Sequence, residues 1–385
     1  MKKIKIALIW RIVIACIAGI LLGYILPLNI VRIFATFSSI FSKFISYMVP
    51  LIIVGLVTPA ICRVGDKSGK LLILTILFAY TSTIAAGIFS FSITSNFIPA
   101  LISNTAKPEV DEMVKEATPF FEIGMPPLMD VMSALVTAFL VGIILSTSKC
   151  ENLKKIIFDF EWVVTEGIKR AIVPFLPLYI FCISLGMSYE GEAGPIMEVF
   201  SKIILLIFAM TLVWLLLLYI IAGCINKKNP IKLLIKMFPA YITALGTSSS
   251  AATIPVTLER AQMCGASSEI AAFTVPLCAN IHMPGSIIKV TSCAVAVTFM
   301  QGGVIDMATF IQFIIMLSLT VVAAPGVPGG VIMAALGVLQ SVLGFSAEQQ
   351  GLMIALYILM DSFGTAANVT GDGAIALIVG KFNGK

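Results

Sequence analysis

The chain has 385 residues, of which 59% are hydrophobic and 12% are charged. Because soluble domains carry about 25% charged residues, this composition predicts an integral membrane protein. The net charge of +5 arises from basic residues in short clusters between apolar segments, which argues against a nucleic-acid-binding surface.

Eight apolar segments are long enough to cross a bilayer as helices, which predicts an all-α polytopic membrane protein. They are residues 7–27, 33–62, 70–100, 126–147, 154–186, 196–225, 268–300 and 348–380. The first follows three lysines, Lys2, Lys3 and Lys5, and is about 20 residues long, longer than the hydrophobic region of a signal peptide. We therefore expect it to be retained as the first transmembrane helix.

Two further segments, 231–262 and 306–345, are interrupted near their middles by small residues and proline. The interruptions read GTSSSAATIP at Gly246–Pro255 and APGVPGG at Ala324–Gly330. Irregular backbone at membrane depth must be buried in protein or line a cavity, so these segments are predicted to be re-entrant helical hairpins. Each hairpin is followed by a span, in opposite orientations. Such an inverted repeat is typical of a secondary transporter whose site lies near the midplane.

The charges of the loops agree with eight spans and two hairpins. Basic clusters precede the first span and follow the second, fourth, sixth and eighth, while acidic residues gather in the intervening loops. Arg32 and Lys43 are the exceptions. The positive-inside rule then predicts a multi-pass protein of the cytoplasmic membrane with both termini in the cytoplasm. No Walker A sequence is present, so the chain is not itself an ATP-driven motor.

Four stretches are predicted to converge on one site: Thr247–Thr253, Asn280–Ser286, Pro325–Gly330 and a polar face of the eighth span. Small residues at the two hairpin tips let helix ends approach a ligand. Free N–H groups there favour a carboxylate, and unwound carbonyls suit a hard cation such as Na⁺. The serine cluster has a plainer alternative, because serines also serve helix packing in lipid.

His282, the one histidine in the sequence, lies in the seventh span just before Pro284 and Gly285. Proline and glycine should break or unwind the helix at this point. A buried histidine with satisfied hydrogen bonds is one interpretation. The other is a protonatable group that lines the coupling site, because histidine changes charge near neutral pH.

The stretch Leu352–Val379, interpreted as one spanning helix, carries Asp361, Thr365, Asn368 and Asp372. Their spacing of i, i+4, i+7 and i+11 puts them on one face. A carboxylate in hydrocarbon costs roughly 2.5–3.5 kcal/mol, so this face should meet protein, water or a bound ion. Asp372 with Asn368 is suited to a cation, and Asp361 to a substrate ammonium. The alternative is a structural stripe that contacts another helix.

These motifs together resemble those of the dicarboxylate/amino acid:cation symporter family, which includes glutamate transporters and neutral amino acid exchangers. The segment Asp361–Asp372, DSFGTAANVTGD, is similar to the family's D-x-x-R-T-x-x-N-V-x-G-D. Thr247–Pro255 and Gly326–Gly329 are similar to the tips of its two hairpins, and Asn280–Ser286 occupies the place of its N-M-D-G-T motif. The resemblance covers essentially the whole chain.

The resemblance implies a homotrimer in which a transport domain slides as an elevator against a scaffold, with the second hairpin as the outer lid. It assigns scaffold helices one and two to 1–69 and scaffold helices four and five to 104–190. Helix three, at 70–103, belongs to the transport domain. The rest of that domain, 191–385, contains helix six, hairpin 231–262, helix seven, hairpin 306–345 and helix eight.

The resemblance also implies the residues of a substrate site. Asp361 is expected to bind the substrate's ammonium, while Asn368 and the first hairpin's tip bind its α-carboxylate. The complete expected set is Ser248, Ser249, Ser250, Ser286, Val327, Gly329, Asp361, Gly364, Thr365 and Asn368.

Two Na⁺ sites, built mostly from backbone carbonyls, are implied in the same way, and no other cofactor is expected. The first consists of Asp372 with carbonyls around Cys278, His282 and Asn368. The second consists of Met283 with carbonyls near Asn280, Val321, Val322 and Ala324.

One departure from the family's pattern concerns the substrate. Gly364 stands where acidic-substrate members carry an arginine, and Ser248 stands where other members supply one from the first hairpin. Without a guanidinium, a second substrate carboxylate would be buried unpaired. We therefore expect a neutral amino acid, with Gly364 leaving room for a side chain larger than serine.

A second departure concerns the ions. His282 and Pro284 stand where a Na⁺-coordinating Asn and Asp are usual. A third Na⁺ site built on that Asp, with hydroxyls near Tyr80, Thr81 and Ser82, is therefore not expected. A proton carried by His282 is the alternative to one Na⁺.

Other functions remain open from the sequence. A C4-dicarboxylate or acidic amino acid symporter is the alternative within the class, and a channel or receptor-like membrane protein is the alternative outside it. A membrane enzyme is the least favoured, because the Ser and His residues have no third member arranged for nucleophilic catalysis. The expected partners are an amino acid, the lipid bilayer and two further copies of the chain.

Overall fold

The structure is a computed structural model that describes residues 8–65, 70–102, 118–191, 193–321 and 329–383. Every regular element within these ranges is helical, which confirms the all-α prediction. A π-helical segment, Ile168–Ile172, follows the fifth helix. The α-helices are α1 (Leu8–Gly23), α2 (Leu28–Gly65), α3 (Lys70–Ile102), α4 (Val131–Thr147), α5 (Glu151–Gly167), α6 (Leu176–Tyr189), α7 (Ala193–Asn226), α8 (Pro230–Thr247), α9 (Ser250–Cys264), α10 (Ser268–Ile281), α11 (Pro284–Met300), α12 (Met307–Thr320), α13 (Gly330–Leu343), α14 (Ala347–Leu359) and α15 (Asp361–Phe382).

Within the described ranges, four segments are long and apolar enough to cross a membrane, and two bent helix pairs raise that number to six. The bent pairs are α5 with α6, at 50°, and α14 with α15, at 62°. The apolar parts of α1 and α4 are shorter. The count of eight spans therefore stays a prediction. The four segments are Leu28–Pro59, Lys70–Ile98, Ser201–Asn226 and Ser268–Met300.

The first interrupted segment forms a helical hairpin. Helices α8 and α9 pack against each other across a turn of two residues, Ser248 and Ser249. Ser248 adopts the left-handed conformation, with φ 50°, and Ser249 caps α9 by accepting the N–H of Ala252. The arms have 18 and 15 residues, fewer than the roughly 20 needed to cross a bilayer.

The second interrupted segment also pairs two short helices, α12 and α13, of 14 residues each. Asp306 caps α12 by accepting the N–H of Thr309. Gly329 precedes α13 with a positive φ of 77°, a conformation that glycine adopts without steric cost. Residues 322–328, which include most of the predicted tip, lie outside the described ranges.

Both spans that follow the hairpins are broken. The seventh ends its first part at Ile281 and resumes at Pro284, whose missing N–H is tolerated at the first position of a helix. The prediction of one helix from Leu352 to Val379 is wrong, because α14 ends at Leu359 and α15 begins at Asp361. At the bend, the Met360 N–H donates to the Tyr357 carbonyl, a tightened turn that ends the regular α-helical pattern.

The helices pack in two groups. α1 packs on α6, and α2 packs on α4, α5 and α6. α15 is surrounded by α3 and by α7 to α11, whereas α13 and α14 contact members of both groups. Every residue of α15 from Gly364 to Gly380 is buried, as is α11 from Pro284 to Val297. The polar face of α15 therefore lies inside the protein and not against lipid.

Candidate functional site

The four polar residues predicted to share a face of α15 are all buried. The exposed fraction is 7% for Asp361, 9% for Thr365, 5% for Asn368 and 1% for Asp372. Thr365 donates to the Asp361 carbonyl of its own helix, at 3.0 Å. The other three make contacts with other helices, so the face joins several elements at one place.

Asn368 fastens α15 to the break in the seventh span. Its side-chain oxygen accepts the Gly285 N–H at 2.8 Å, and its side-chain nitrogen donates to Ser286 Oγ at 3.0 Å. The Tyr357 hydroxyl donates to the same Ser286 oxygen at 3.2 Å. The first turn of α11 is thus joined to α15 through the Gly285 N–H and the Ser286 hydroxyl.

His282 lies between Asp372 and α3. Its Nδ1 is 2.9 Å from Asp372 Oδ1, and its Nε2 is 2.9 Å from Ser82 Oγ. With Nδ1–H donating to the carboxylate, Nε2 accepts from the Ser82 hydroxyl. Both ring nitrogens are therefore engaged, as expected for a satisfied buried histidine. Proton transfer through His282 stays a prediction.

α3 contributes two hydroxyls to this break. Besides Ser82, Thr83 Oγ1 accepts the Met283 N–H at 3.2 Å, in the irregular stretch between α10 and α11. Of the three residues predicted around a third cation site, Ser82 contacts His282, whereas Thr81 is exposed. The hydroxyls of α3 thus hold the break in the seventh span.

The start of α15 contacts both hairpins, through Asp361 and Ser362. Its Oδ2 accepts the N–H of Gly329, just beyond the tip of the second hairpin, at 2.9 Å. The next residue, Ser362, shares a hydrogen bond of 2.7 Å with Ser248 at the tip of the first hairpin. The described parts of both hairpins therefore reach the start of α15, the first at Ser362 and the second at Asp361.

Lys289 is a residue that sequence reasoning missed. It lies on α11, is 1% exposed, and its Nζ is 3.6 Å from Asp361 Oδ1. The expectation that Gly364 leaves room for a larger side chain is wrong, because a Cβ there would lie 2.3 Å from Lys289 Cε. The absence of an arginine suggested a site without a cation, but Lys289 supplies one. A single lysine within an otherwise apolar span could have indicated a functional residue, because a charged side chain is costly to place in a membrane.

The remaining predicted substrate residues lie at the first hairpin's tip or outside the described ranges. Ser249 and Ser250 are partly buried at the start of α9. Val327 is among the residues that the structure does not describe.

The residues of the predicted Na⁺ sites are only partly brought together. Cys278 is fully buried and its carbonyl accepts the His282 N–H at 2.9 Å; Val321 is fully buried at the end of α12. Asn280 is exposed and its side chain donates to the Pro276 carbonyl of its own helix. Val322 and Ala324 lie outside the described ranges.

The donor chemistry of this region is that of hard oxygen ligands. In the described part of the chain, no three His, Cys, Asp or Glu side chains come together as a metal site. Asp372 and the backbone carbonyls of the two helix breaks are oxygen donors, which suit Na⁺ rather than a transition metal.

A cavity of about 370 Å³ lies elsewhere, between α2, α6 and α14. Lys43, Glu122, Glu190 and Glu348 are among its lining residues, and none of the predicted site residues line it. Lys43 forms an ion pair of 2.5 Å with Glu122 at this cavity. The candidate site is therefore defined by the contacts of α11 and α15.

Comparison with known proteins gives similarities over most of the chain. A model of the sodium:dicarboxylate symporter family matches residues 8–382. The serine/threonine transporter SstT of Acinetobacter baylyi is 24% identical over 98% of this chain and 97% of its own length. The protein of the same name from Acinetobacter baumannii is 25% identical over 96% and 95%. Human excitatory amino acid transporter 2 is 27% identical over 71% of this chain and 48% of its own length.

Proposed function

The chain belongs to the sodium:dicarboxylate symporter family, and we propose on this premise that it couples Na⁺ entry to the uptake of a small neutral amino acid. Membership makes it a membrane transporter and not an enzyme, and it confirms the resemblance described from the motifs. The family as a whole is coupled to sodium, as its description states. The identity of the substrate is the part that we infer.

The observation that supports a neutral substrate is the pairing of Asp361 with Lys289. Their side chains lie 3.6 Å apart and are both buried, so opposite charges already balance at the start of α15. A zwitterion that carries no net charge leaves this balance unchanged. A substrate with an additional carboxylate would bring a net negative charge into this buried place, which is costly.

The packing around Gly364 supports a small substrate. Lys289 fills the space beside this glycine, so a bulky substrate side chain there would have to displace the lysine. The names of two relatives that are 24% and 25% identical, both serine/threonine transporters, agree with a small polar substrate.

In this proposal, the substrate lies between the start of α15 and the break in the seventh span. Asp361 binds its ammonium, because a buried carboxylate is the natural partner of that group. Asn368, Ser286 and the serines at the tip of the first hairpin, Ser249 and Ser250, bind the α-carboxylate. The N–H groups at the start of α11 and α9 add favourable dipoles for this anion.

Na⁺ is proposed to bind at two places beside the substrate. The first consists of Asp372 with carbonyls around Cys278, His282 and Asn368. The second consists of Met283 with carbonyls near Asn280, Val321, Val322 and Ala324. Proton coupling through His282 is the alternative for one of these ions. Its hydrogen bond to Asp372 is the observation that favours this alternative, because a proton gained by His282 would strengthen that contact and a cation at Asp372 would compete with it.

An elevator movement of a homotrimer completes the proposal. Support comes from the packing of α15 with α3 and α7 to α11, apart from α1, α2 and α4 to α6. This grouping follows the proposed division into scaffold regions 1–69 and 104–190 and transport regions 70–103 and 191–385. The second hairpin, through Gly329 and Asp361, is suited to act as the lid over the substrate.

The second candidate function is symport of an acidic amino acid or a C4-dicarboxylate. Lys289 favours it, because this buried ammonium is the one cation within 4 Å of the Asp361 carboxylate among the described residues, and a substrate carboxylate would compete for it. The similarity to an excitatory amino acid transporter points the same way.

Substrate-competed uptake separates the two functions. Purified protein is reconstituted in proteoliposomes, an inward Na⁺ gradient is imposed, and labelled serine uptake is measured with excess unlabelled serine, threonine, alanine, cystine, aspartate or succinate. We expect competition by the small neutral amino acids. Failure to take up serine, together with Na⁺-dependent uptake of labelled aspartate or succinate, would establish the second function instead.

A further inference from the structure

Lys289 lies on the second turn of α11, and its ammonium contacts three protein groups. Its Nζ donates to the Met360 carbonyl at 3.2 Å, lies 3.8 Å from the centroid of the Tyr357 ring, and is 3.6 Å from Asp361 Oδ1. A carbonyl, an aromatic face and a carboxylate are three favourable partners for an ammonium. The side chain is thus held in one position without solvent.

The glycine at position 364 is what makes room for this lysine. A Cβ there would lie 2.3 Å from Lys289 Cε and 2.5 Å from its Nζ, closer than real side-chain atoms approach. A larger residue at this position would therefore require the end of the lysine to shift. The lysine and the glycine form one arrangement, contributed by two different helices.

Asp361 is engaged from two sides. One carboxylate oxygen faces Lys289, and the other accepts the Gly329 N–H beyond the tip of the second hairpin. The carboxylate proposed to hold the substrate's ammonium therefore already faces an ammonium that belongs to the protein. Replacing one ammonium by another leaves the charge at Asp361 unchanged.

We propose that Lys289 is a tethered substitute for the substrate's ammonium. In the empty carrier it neutralises Asp361, so the transport domain can cross the membrane without an unpaired buried carboxylate. When an amino acid binds, its ammonium replaces Lys289 at Asp361. The displaced side chain keeps the Met360 carbonyl and the Tyr357 ring, neither of which depends on Asp361. This inference rests on the proposed function.

The proposal predicts different effects on the two modes of transport. Net uptake requires the empty carrier to return, and that step needs Lys289. Exchange of internal for external substrate uses only the loaded carrier, in which the substrate's own ammonium pairs with Asp361. Lys289 also competes with the substrate for Asp361, so its removal should tighten substrate binding.

The test compares Lys289→Met with the unmodified carrier in proteoliposomes. Methionine has a similar length and no charge. We expect net uptake of labelled serine into substrate-free vesicles to fall at least about tenfold, which corresponds to about 1.4 kcal/mol in the barrier of that step. Exchange into serine-loaded vesicles should stay within about threefold of the rate of the unmodified carrier. The half-saturating serine concentration for exchange should fall. Lys289→Arg keeps the charge and should restore part of the net uptake.

Ile288→Met is the matched control, since Ile288 is fully buried on the same helix and forms no part of the site. It should leave the ratio of the two modes unchanged. If Lys289→Met proves too unstable to purify, Lys289→Gln removes the charge and keeps a polar end, and the same loss of net uptake with retained exchange is expected.

Equal losses in both modes, or no loss in either, would overturn the role of Lys289 while leaving the amino acid transport of the unmodified carrier intact. Absence of any amino acid transport by the unmodified carrier would instead overturn the proposed function and this inference with it.

Discussion

The contact between the start of α11 and α15 can be tested at Gly285. A Cβ at this position would lie 2.7 Å from the Gly364 carbonyl oxygen, 2.9 Å from Ala367 Cβ and 3.2 Å from Asn368 Oδ1. Ordinary contact begins at 3.4 Å, so Gly285→Ala requires α11 to move from α15 by about 0.7 Å, the difference between 3.4 and 2.7 Å. Overpacking of this kind costs about 1–3 kcal/mol.

The same movement should weaken the site itself. It would lengthen the hydrogen bond from the Gly285 N–H to Asn368, now 2.8 Å, to about 3.5 Å, beyond useful hydrogen-bond distance. We therefore expect a melting temperature lower by several degrees and a half-saturating serine concentration raised by about tenfold, since a hydrogen bond of about 1 kcal/mol and the position of Asn368 are both lost. Thermal unfolding in detergent and uptake kinetics measure these two quantities.

The matched control is Gly186→Ala on α6, where an added Cβ meets no atom within 4 Å. Alanine is the better helix former by about 1 kcal/mol, so this variant should be as stable as the original or slightly more so. If Gly285→Ala unfolds at the same temperature as Gly186→Ala and binds serine equally well, the tight junction between α11 and α15 is not what holds the site.

Three further predictions concern ionisable groups. His282→Gln should flatten the pH dependence of uptake while substrate binding stays measurable; an unchanged pH profile removes the proton role. Asp372→Asn should reduce the stabilisation that Na⁺ gives by the share of one site, which is about 1.4 kcal/mol per tenfold Na⁺ above its Kd; a full Na⁺ response in this variant excludes Asp372 as a ligand. At the start of α12, hydrogen bonds from the side chain and backbone of Thr309 lower the pKa of Asp306. The charged form of Asp306 therefore stabilises the protein at neutral pH, and this stabilisation is lost as the pH falls through the lowered pKa. Asp306→Ala should therefore lower the melting temperature at pH 7, with the difference narrowing below about pH 4; a difference that is constant across pH would refute this.

The interruptions of the helices could be predicted because they are encoded locally. Pro284 cannot continue a helix, and the serine cluster before α9 supplies a cap, so each break appears in a short stretch of sequence. The burial of Asp361 and Asp372 followed from the cost of carboxylates in hydrocarbon. These features depend on neighbouring residues or on the membrane, not on knowledge of the fold.

The bend at Met360 and the pairing of Lys289 could not be predicted in the same way. The residues from Leu359 to Phe363 include no proline or glycine, so no local signal marks the change of direction. Lys289 was visible as a single charge in an apolar span, but its partner lies on another helix and is set by tertiary packing. The open space expected beside Gly364 is absent for the same reason, because the side chain that fills it comes from another helix.

Transport driven by Na⁺ and dependent on Asp361 is the most direct test of this account. Labelled serine uptake is measured in proteoliposomes with an inward Na⁺ gradient, with equal Na⁺ on both sides, and with an H⁺ gradient alone, for the unmodified carrier and for Asp361→Asn. We predict that only the unmodified carrier accumulates serine above its external concentration, and that it does so only when Na⁺ is higher outside. Accumulation that ignores the Na⁺ gradient, or that persists undiminished in Asp361→Asn, would contradict the account.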